Sequence, residues 1–317
     1  MRAVHVHRFA IAAAVATFIL TIFGGVVSVT ESGLACPDWP LCEGKFIPQM
    51  VDGKQYEHSH RLVASFVGAM TFGLMALLIK YRRKQQLYLV KLGVLAAVLV
   101  TFQALLGAAT VILRLPWAVT SAHLAVATLF FVLMTTIAYL THPSRPQLPR
   151  VQPALAKVIL PVAVLLYIQV VGGGVMRHLR AGLACGFDLP LCNGAVWPAD
   201  GYLGVHVHMV HRTLGVLSGL AVLGLMIFLW RRPEASRRLK AVAAAAGVAV
   251  LLQIALGVMT VLLSREIFTI NVHSSLGIGL MSILTWMYWL AAPERATVPV
   301  AAAVLGPPAQ IGTAVEA

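Results

Sequence analysis

Residues 60–80 read HRLVASFVGAMTFGLMALLIK, and residues 211–231 read HRTLGVLSGLAVLGLMIFLWR. Each opens on a His-Arg pair and continues as an apolar run closed by a base. A helix needs about 20 predominantly apolar residues to cross the hydrocarbon of a bilayer, and both stretches have that length with no acid inside. Six further runs share this character, so spans are expected at roughly 9–29, 60–80, 91–112, 120–140, 154–176, 208–230, 241–263 and 270–291. Of the 317 residues, 59% are hydrophobic and 11% charged. A soluble domain carries about 25% charged residues, so lipid must be part of this chain's solvent. The connections are short except near 30–59 and 177–207, which leaves little chain for a soluble domain. The first run exceeds the apolar core of a cleaved signal, which is about 7–15 residues. Leu34-Ala35-Cys36 has a faint likeness to a lipoprotein cleavage site, but Gly-Leu-Ala-Cys recurs at 182–185, where no signal could operate.

The formal net charge is +13, and its distribution argues against nucleic acid as a partner. With the N-terminus inside, the inside segments hold sixteen bases, among them Lys80, Arg82, Arg83, Lys84, Arg145, Arg150, Arg237, Arg238 and Arg295, against the acids Glu234, Glu294 and Glu316. The other side holds Lys45, Lys54, Arg114, Arg177, Arg180 and Arg265 against eight acids. This asymmetry is the positive-inside bias. It predicts both termini in the cytoplasm and both long loops on the outer side of an inner membrane. All four cysteines fall in those loops, Cys36 with Cys42 and Cys185 with Cys192. An oxidising compartment permits disulfides, so each pair is expected to close a small loop. Metal ligation is the competing reading, without convincing Cys-x-x-Cys spacing to support it.

The chain repeats itself at an offset of about 150 residues. Gly24-Gly25-Val26 matches Gly173-Gly174-Val175, Gly33 to Cys36 matches Gly182 to Cys185, and Leu41-Cys42 matches Leu191-Cys192. Further along, His60-Arg61 matches His211-Arg212, the set Gln103, Gly107 and Thr110 matches Gln253, Gly257 and Thr260, and His123 matches His273. Four spans preserve sidedness, so the copies run parallel about an axis near the membrane normal. The expected fold is an all-α membrane protein of eight transmembrane helices, built as two tandem pseudo-symmetric four-helix bundles. The halves are 1–141 and 154–292, joined by a cytoplasmic linker at 142–153 and followed by a cytoplasmic tail at 293–317.

His60 and His211 open the second helix of each half, and His123 and His273 the fourth. In a four-helix bundle these helices can face each other across the core, where bundles commonly build cofactor sites. Strongly polar residues within a span are costly and mark function. A lone histidine would read as one bonded to a neighbouring helix or solvated at the interface, but four that are paired and duplicated point to haem. Zinc would want a third ligand close by, and nothing pairs with these histidines in both halves to supply one. Haem iron needs two axial ligands, and histidine is a common choice.

Three residues before His60 stands Glu57, while three before His211 stands His208. If the second helix extends outward by a turn, Glu57 shares a face with His60. A carboxylate then lies beside the cofactor in the first half alone, which makes that half the candidate for chemistry; the plainer reading is a loop acid facing water. Arg61 and Arg212 suit bidentate carboxylate binding, hence haem propionates, and suit headgroup anchoring equally. His5, His7, His58, His142, His178, His206 and His208 are expected in loops or at helix ends, mostly solvated. The glycines at 172–174 and at 215 and 219 permit close helix approach and could equally leave room for a macrocycle.

The stretch Glu57-His58-Ser59-His60-Arg61, with His123, His211-Arg212, His273 and a cysteine pair in the first loop of each half, resembles the bacterial eight-helix haem A synthase family over nearly the whole chain. The resemblance implies a membrane oxidoreductase that oxidises the C8 methyl of haem O to a formyl group by successive hydroxylations, the gem-diol losing water to give haem A. It implies that His60 and His123 flank the substrate iron with Glu57 essential nearby, that His211 and His273 hold a haem B cofactor, and that Cys36 and Cys42 are functionally important. Its implied partners are membrane lipid, haem O and the synthase that makes it, an electron donor, and a second copy of the chain. Two rivals remain at this stage. A di-haem cytochrome b that only transfers electrons explains four histidines but not the single Glu57. A transporter fits the parallel repeats, but no acid lies mid-membrane and only Pro161 lies well inside a span.

Overall fold

The computed structural model describes residues 2–82, 86–144, 152–264 and 266–291. Of the charges that set the expected orientation, Arg83, Lys84, Arg145, Arg150, Arg265, Glu294, Arg295 and Glu316 lie outside the described residues, as do most of the linker and the tail. The described residues form eight helices: α1 Arg2–Val29, α2 Lys54–Arg82, α3 Leu87–Ile112, α4 Trp117–Leu140, α5 Pro153–His178, α6 Leu203–Arg231, α7 Arg237–Leu262 and α8 Ile267–Leu290. All eight are long and apolar enough to cross a membrane, and the protein is a multi-pass membrane protein. The lengths 29, 26 and 24 of α2, α3 and α4 recur in α6, α7 and α8, which is the duplication written in helix length. Pro161 sits inside α5 without ending it.

Within each half the helices close a ring: α1 touches α2 and α4, and α3 touches α2 and α4; the same pattern joins α5 to α8. Among the described residues no contact joins α2 to α4 or α6 to α8, so the two histidine-bearing helices of each half stand diagonally across their bundle. The halves meet through α4–α8, α4–α5 and α1–α8. Under the exchange of halves the last two contacts map onto each other and the first maps onto itself, as in an isologous interface. The Tyr139 and Trp289 rings stack across it at 6.4 Å. Gly174 lies so close to α4 that an added Cβ would run into Leu124 Cδ2, which is the close approach that small residues allow.

The packed core occupies one end of each bundle. In the first half it comprises Val67, Leu74, Leu78, Leu89, Met134, Ile137 and Leu140, in the second Leu155, Ile159, Leu225, Leu229, Leu239, Leu280 and Leu284. These lie at the late ends of α2, α4, α6 and α8 and the early ends of α3, α5 and α7, away from the long loops. The cores therefore plug the short-loop side and leave the long-loop side of both bundles to polar groups.

The two long loops repeat in atomic detail. Disulfides join Cys36 to Cys42 and Cys185 to Cys192, and each is followed by an antiparallel bridge, Cys42 to Lys45 and Cys192 to Ala195. Asp38 accepts from the N–H groups of Glu43 and Gly44, and Asp188 from that of Gly194. Gly44 and Gly194 adopt φ of 70° and 78°, a region that costs glycine nothing and other residues about 1 kcal/mol or more. The N–H of Gly44, aided by that of Glu43, holds the Asp38 carboxyl below the usual carboxylate range.

Candidate functional site

Each of the four repeated histidines is seated on a glycine of the preceding helix. A Cβ added to Gly24 of α1 would stand 3.2 Å from His60 Cε1, and one on Gly107 of α3 the same distance from His123 Cε1. In the second half the corresponding distances are 2.9 Å from Gly173 to His211 and 3.0 Å from Gly257 to His273. Only a hydrogen side chain lets the imidazole lie this close to the neighbouring backbone. All four rings remain half-buried, although they belong to the bundle interior. His60 and His123 lie within electrostatic range of each other, as do His211 and His273. The structure thus brings together the two histidines of each half.

Four residues before three of these glycines stands a glutamine. Gln103 Nε2 donates to the His123 carbonyl at 2.9 Å, and Gln169 Nε2 to the His211 carbonyl at 3.1 Å. His273 Nδ1 donates to the Gln253 carbonyl at 3.1 Å. Glutamine and glycine at i and i+4 share a helix face, so Gln-x-x-x-Gly forms a seat for the histidine of the next helix. The matching position on α1 is Leu20, and His60 alone lacks the glutamine. Gln169 was not singled out from the sequence, although its spacing from Gly173 repeats those of Gln103 from Gly107 and Gln253 from Gly257.

These histidines could hold a metal-centred group. Nδ1 of His60, His123 and His211 is buried without a hydrogen-bond partner, and a buried polar atom left unpaired is costly. His273 donates its Nδ1 proton to a backbone carbonyl, which leaves Nε2 as the basic nitrogen. That is the arrangement by which metal-ligating histidines are oriented.

The residues flanking the histidines are used differently from the expectation. α2 and α6 begin at Lys54 and Leu203, further out than the expected 60 and 208, so Glu57 falls within its helix as His208 does. Both are buried, each 3% exposed. Glu57 Oε2 accepts from the Cys36 N–H at 2.7 Å, and Oε1 from Arg61 Nη2 at 2.6 Å. Arg61 Nη1 also donates to the carbonyls of Asp38 and Leu41, inside the ring closed by the disulfide. Arg212 Nη1 binds Asp188 and Leu191 in the same way, and its Nε donates to His208 Nε2 at 3.1 Å. Both arginines therefore dock a long loop onto its bundle. They differ at two atoms: Nε of Arg212 bonds His208, and Nη2 of Arg61 is taken by Glu57 while Nη2 of Arg212 is buried and unpartnered.

The expectation that the other histidines are mostly solvated fails for His58 and His208. The disulfide loops fold back over the first turns of α2 and α6 and cover them. His58 is 3% exposed and donates from Nε2 to the Phe46 carbonyl at 2.7 Å. It lies with Cys36 and Cys42 in a group whose ligating atoms are within 4.8 Å of one another, but the sulfurs are joined in a disulfide and offer no thiolate. His178 of α5 reaches across the interface to Ser121 Oγ of α4 at 3.1 Å.

Comparison with known proteins agrees with this arrangement. The chain matches the family described as COX15-CtaA, cytochrome oxidase assembly protein, over residues 7–56 and 52–285. It is 32% identical to "Heme A synthase" of Shouchella clausii over 91% of this chain and 98% of that protein. Identity is 30% to "Heme A synthase" of Halalkalibacterium halodurans, covering 88% and 94% of the two chains, and 30% to that of Symbiobacterium thermophilum, covering 90% and 95%. With the match running through both bundles and all four seated histidines, the chain belongs to the COX15-CtaA family of cytochrome oxidase assembly proteins.

Proposed function

We propose that this protein is a haem A synthase, a membrane oxidoreductase that converts the C8 methyl group of haem O to the formyl group of haem A. The observation that carries this reading is the pair of histidines in each half, seated on glycines of diagonal helices in a bundle of this family. In this reading residues 1–141 form the substrate half, with His60 and His123 flanking the iron of haem O, and residues 154–292 form the cofactor half, with His211 and His273 as ligands of haem B. The linker and tail, at 142–153 and 293–317, lie with both termini in the cytoplasm, and the long loops and sites lie toward the outer face.

An unactivated methyl C–H bond is beyond the reach of side chains, and a bound haem B supplies the one-electron redox chemistry that the protein lacks. The chain contributes position and charge. Its Gln-x-x-x-Gly seats fix three imidazoles. The plugged short-loop side confines the macrocycles to the long-loop side, and the apolar helices give the farnesyl tail of haem O a place to lie. Glu57 brings a carboxylate to the substrate half only. An ionised carboxylate has about four acceptor sites, so its bonds to Cys36 and Arg61 leave acceptor capacity for the substrate. In the cofactor half the unpartnered Nη2 of Arg212 is suited to a propionate, whereas the matching donor of Arg61 is spent on Glu57. Haem O reaches the first half from the enzyme that makes it, and an electron donor completes the cycle.

The test is extraction and mass analysis of haem from protein purified from cells that make haem O. Haem B together with haem A or hydroxylated haem O is the expected content. Two equivalents of haem B and nothing else would sink the synthase reading and leave an electron-transfer cytochrome b.

The seats make a second prediction. Gly173→Ala drives a methyl against the His211 ring, an overpacking that costs about 1–3 kcal/mol, and haem B affinity should fall about five- to a hundredfold. Gly172, whose added Cβ would meet nothing within 4 Å, is the control: Gly172→Ala should bind haem as the parent does. Equal haem content in both variants would show that the glycine seat does not set ligand geometry.

A further inference from the structure

The helix that precedes each histidine carries a third position on the same face, four residues beyond the glycine. On α1 the series is Leu20, Gly24 and Ser28; on α3 it is Gln103, Gly107 and Val111; on α7 it is Gln253, Gly257 and Val261. On α5 it is Gln169, Gly173 and Arg177. A step of four residues advances about 6 Å along a helix, and in all four helices it runs toward the long-loop side. Arg177 is therefore the one cation in this fourfold pattern, and it stands just outward of the glycine beneath His211.

Its neighbours place it at the site of the second half. Arg177 Nη2 donates to Ser274 Oγ at 2.9 Å, and Ser274 directly follows His273 on α8. The side chain is half-buried, and its charge reaches both His211 and His273. The guanidinium thus bridges the outer rim between the glycine seat of one histidine and the residue after the other. Arg212, from α6, adds its unpartnered Nη2 to the same half. In the first half the equivalent of Arg177 is Ser28, and the equivalent donor of Arg61 is occupied by Glu57.

Resting on the reading that His211 and His273 hold a haem, we infer that Arg177 binds a carboxylate of that haem, and that this cation makes the second half the one that retains its haem. A resident cofactor gains from a charge-assisted clamp, because planar guanidinium binds carboxylate tightly and with fixed geometry. A substrate that must leave as product does not. Serine at the matching position of the first half leaves the exchanging haem without such a clamp. The duplicated bundle is divided into a holding site and a turnover site by a Ser-to-Arg difference on the rim as well as by the carboxylate of Glu57.

The experiment follows transfer of haem B from the purified holoprotein to excess apomyoglobin. Charge-assisted hydrogen bonds are the stronger kind, and their loss should speed haem B release from Arg177→Gln by about ten- to a hundredfold. Arg177→Lys, which keeps the charge but loses the planar fork, should release haem B at a rate between those of the parent and Arg177→Gln. Ser28→Arg should slow release of haem O and haem A from the first half by about tenfold. His211→Ala identifies the haem being followed, and it should abolish that fraction. If His211→Ala abolishes it but Arg177→Gln releases haem at the parental rate, the role of Arg177 is overturned while the haem assignment stands. Equal acceleration in the Gln and Lys variants also overturns it, since packing rather than charge would then be at work. If His211→Ala leaves haem content unchanged, the assignment of haem to the second half itself fails.

Discussion

His60→Ala and His123→Ala should each lower haem A formation by more than a hundredfold while leaving haem B in place; His211→Ala and His273→Ala should empty the second half of haem B. The magnitude follows from comparison with weaker lesions. Losing an outer partner of a metal-bound histidine costs about 10–100-fold, and losing the ligand itself must cost more. The separation follows from the fold. Each pair spans the diagonal of its own bundle, and among the described helices the halves meet through α1, α4, α5 and α8, so that α2 and α6 are not in contact. Difference spectra of reduced protein, with mass analysis of extracted haem, read the two sites separately. His60→Ala should still show haem B and should accumulate unreacted haem O. His211→Ala should lose haem B and, in the proposed reading where that haem passes the electrons, also lose turnover. If all four variants lost all haem together, the bundles would be one cooperative unit, and the division of labour between them would be wrong.

How much of this was legible beforehand differs by kind of residue. The eight helices, the duplication and the diagonal pairing follow from hydropathy and from landmarks repeated at one offset, because lipid forces backbone bonding into helices and a repeat forces equivalent positions. The outer ends of α2 and α6 were less legible. Hydropathy registers the lipid-crossing length, whereas the extra turns that bury Glu57 and His208 are covered by loop. The same blindness hid the partners of Arg61 and Arg212. Carbonyls of Asp38, Leu41, Asp188 and Leu191 carry no side-chain signature, and that an arginine beside a histidine also docks a loop is seen only in the fold. Gln169 and Arg177 were within reach of the sequence, since the interval of four from glycine recurs, but that interval acquires meaning only once glycine is known to lie beneath a histidine ring.

Glu57 is the residue whose replacement separates chemistry from architecture, provided two variants are compared. Its carboxylate is 3% exposed, pairs with Arg61 and accepts the Cys36 N–H. Glu57→Ala therefore leaves a buried guanidinium and a backbone donor unpaired, and breaking a buried pair from one side costs about 3–5 kcal/mol. The first long loop should loosen, seen as faster proteolysis between Cys36 and Lys54, and haem A formation should vanish for that reason alone. Glu57→Gln keeps the side-chain volume and one acceptor oxygen, for either the Cys36 N–H or Arg61, while removing the charge and the capacity to take a proton. If the carboxylate acts on the substrate, the glutamine variant should loosen the loop far less than alanine does, hold haem B normally, accumulate haem O, and make haem A about 10²–10⁴-fold more slowly, the range expected for loss of a positioned acid–base group. If Glu57 only anchors the loop, glutamine should preserve most of the turnover that alanine destroys. The second half supplies the internal reference, because His208 occupies the same place and bonds Arg212: a loop of this kind docks without any carboxylate. Docking alone thus gives no reason for an acid in the first half, and the glutamine variant decides whether the reaction gives one.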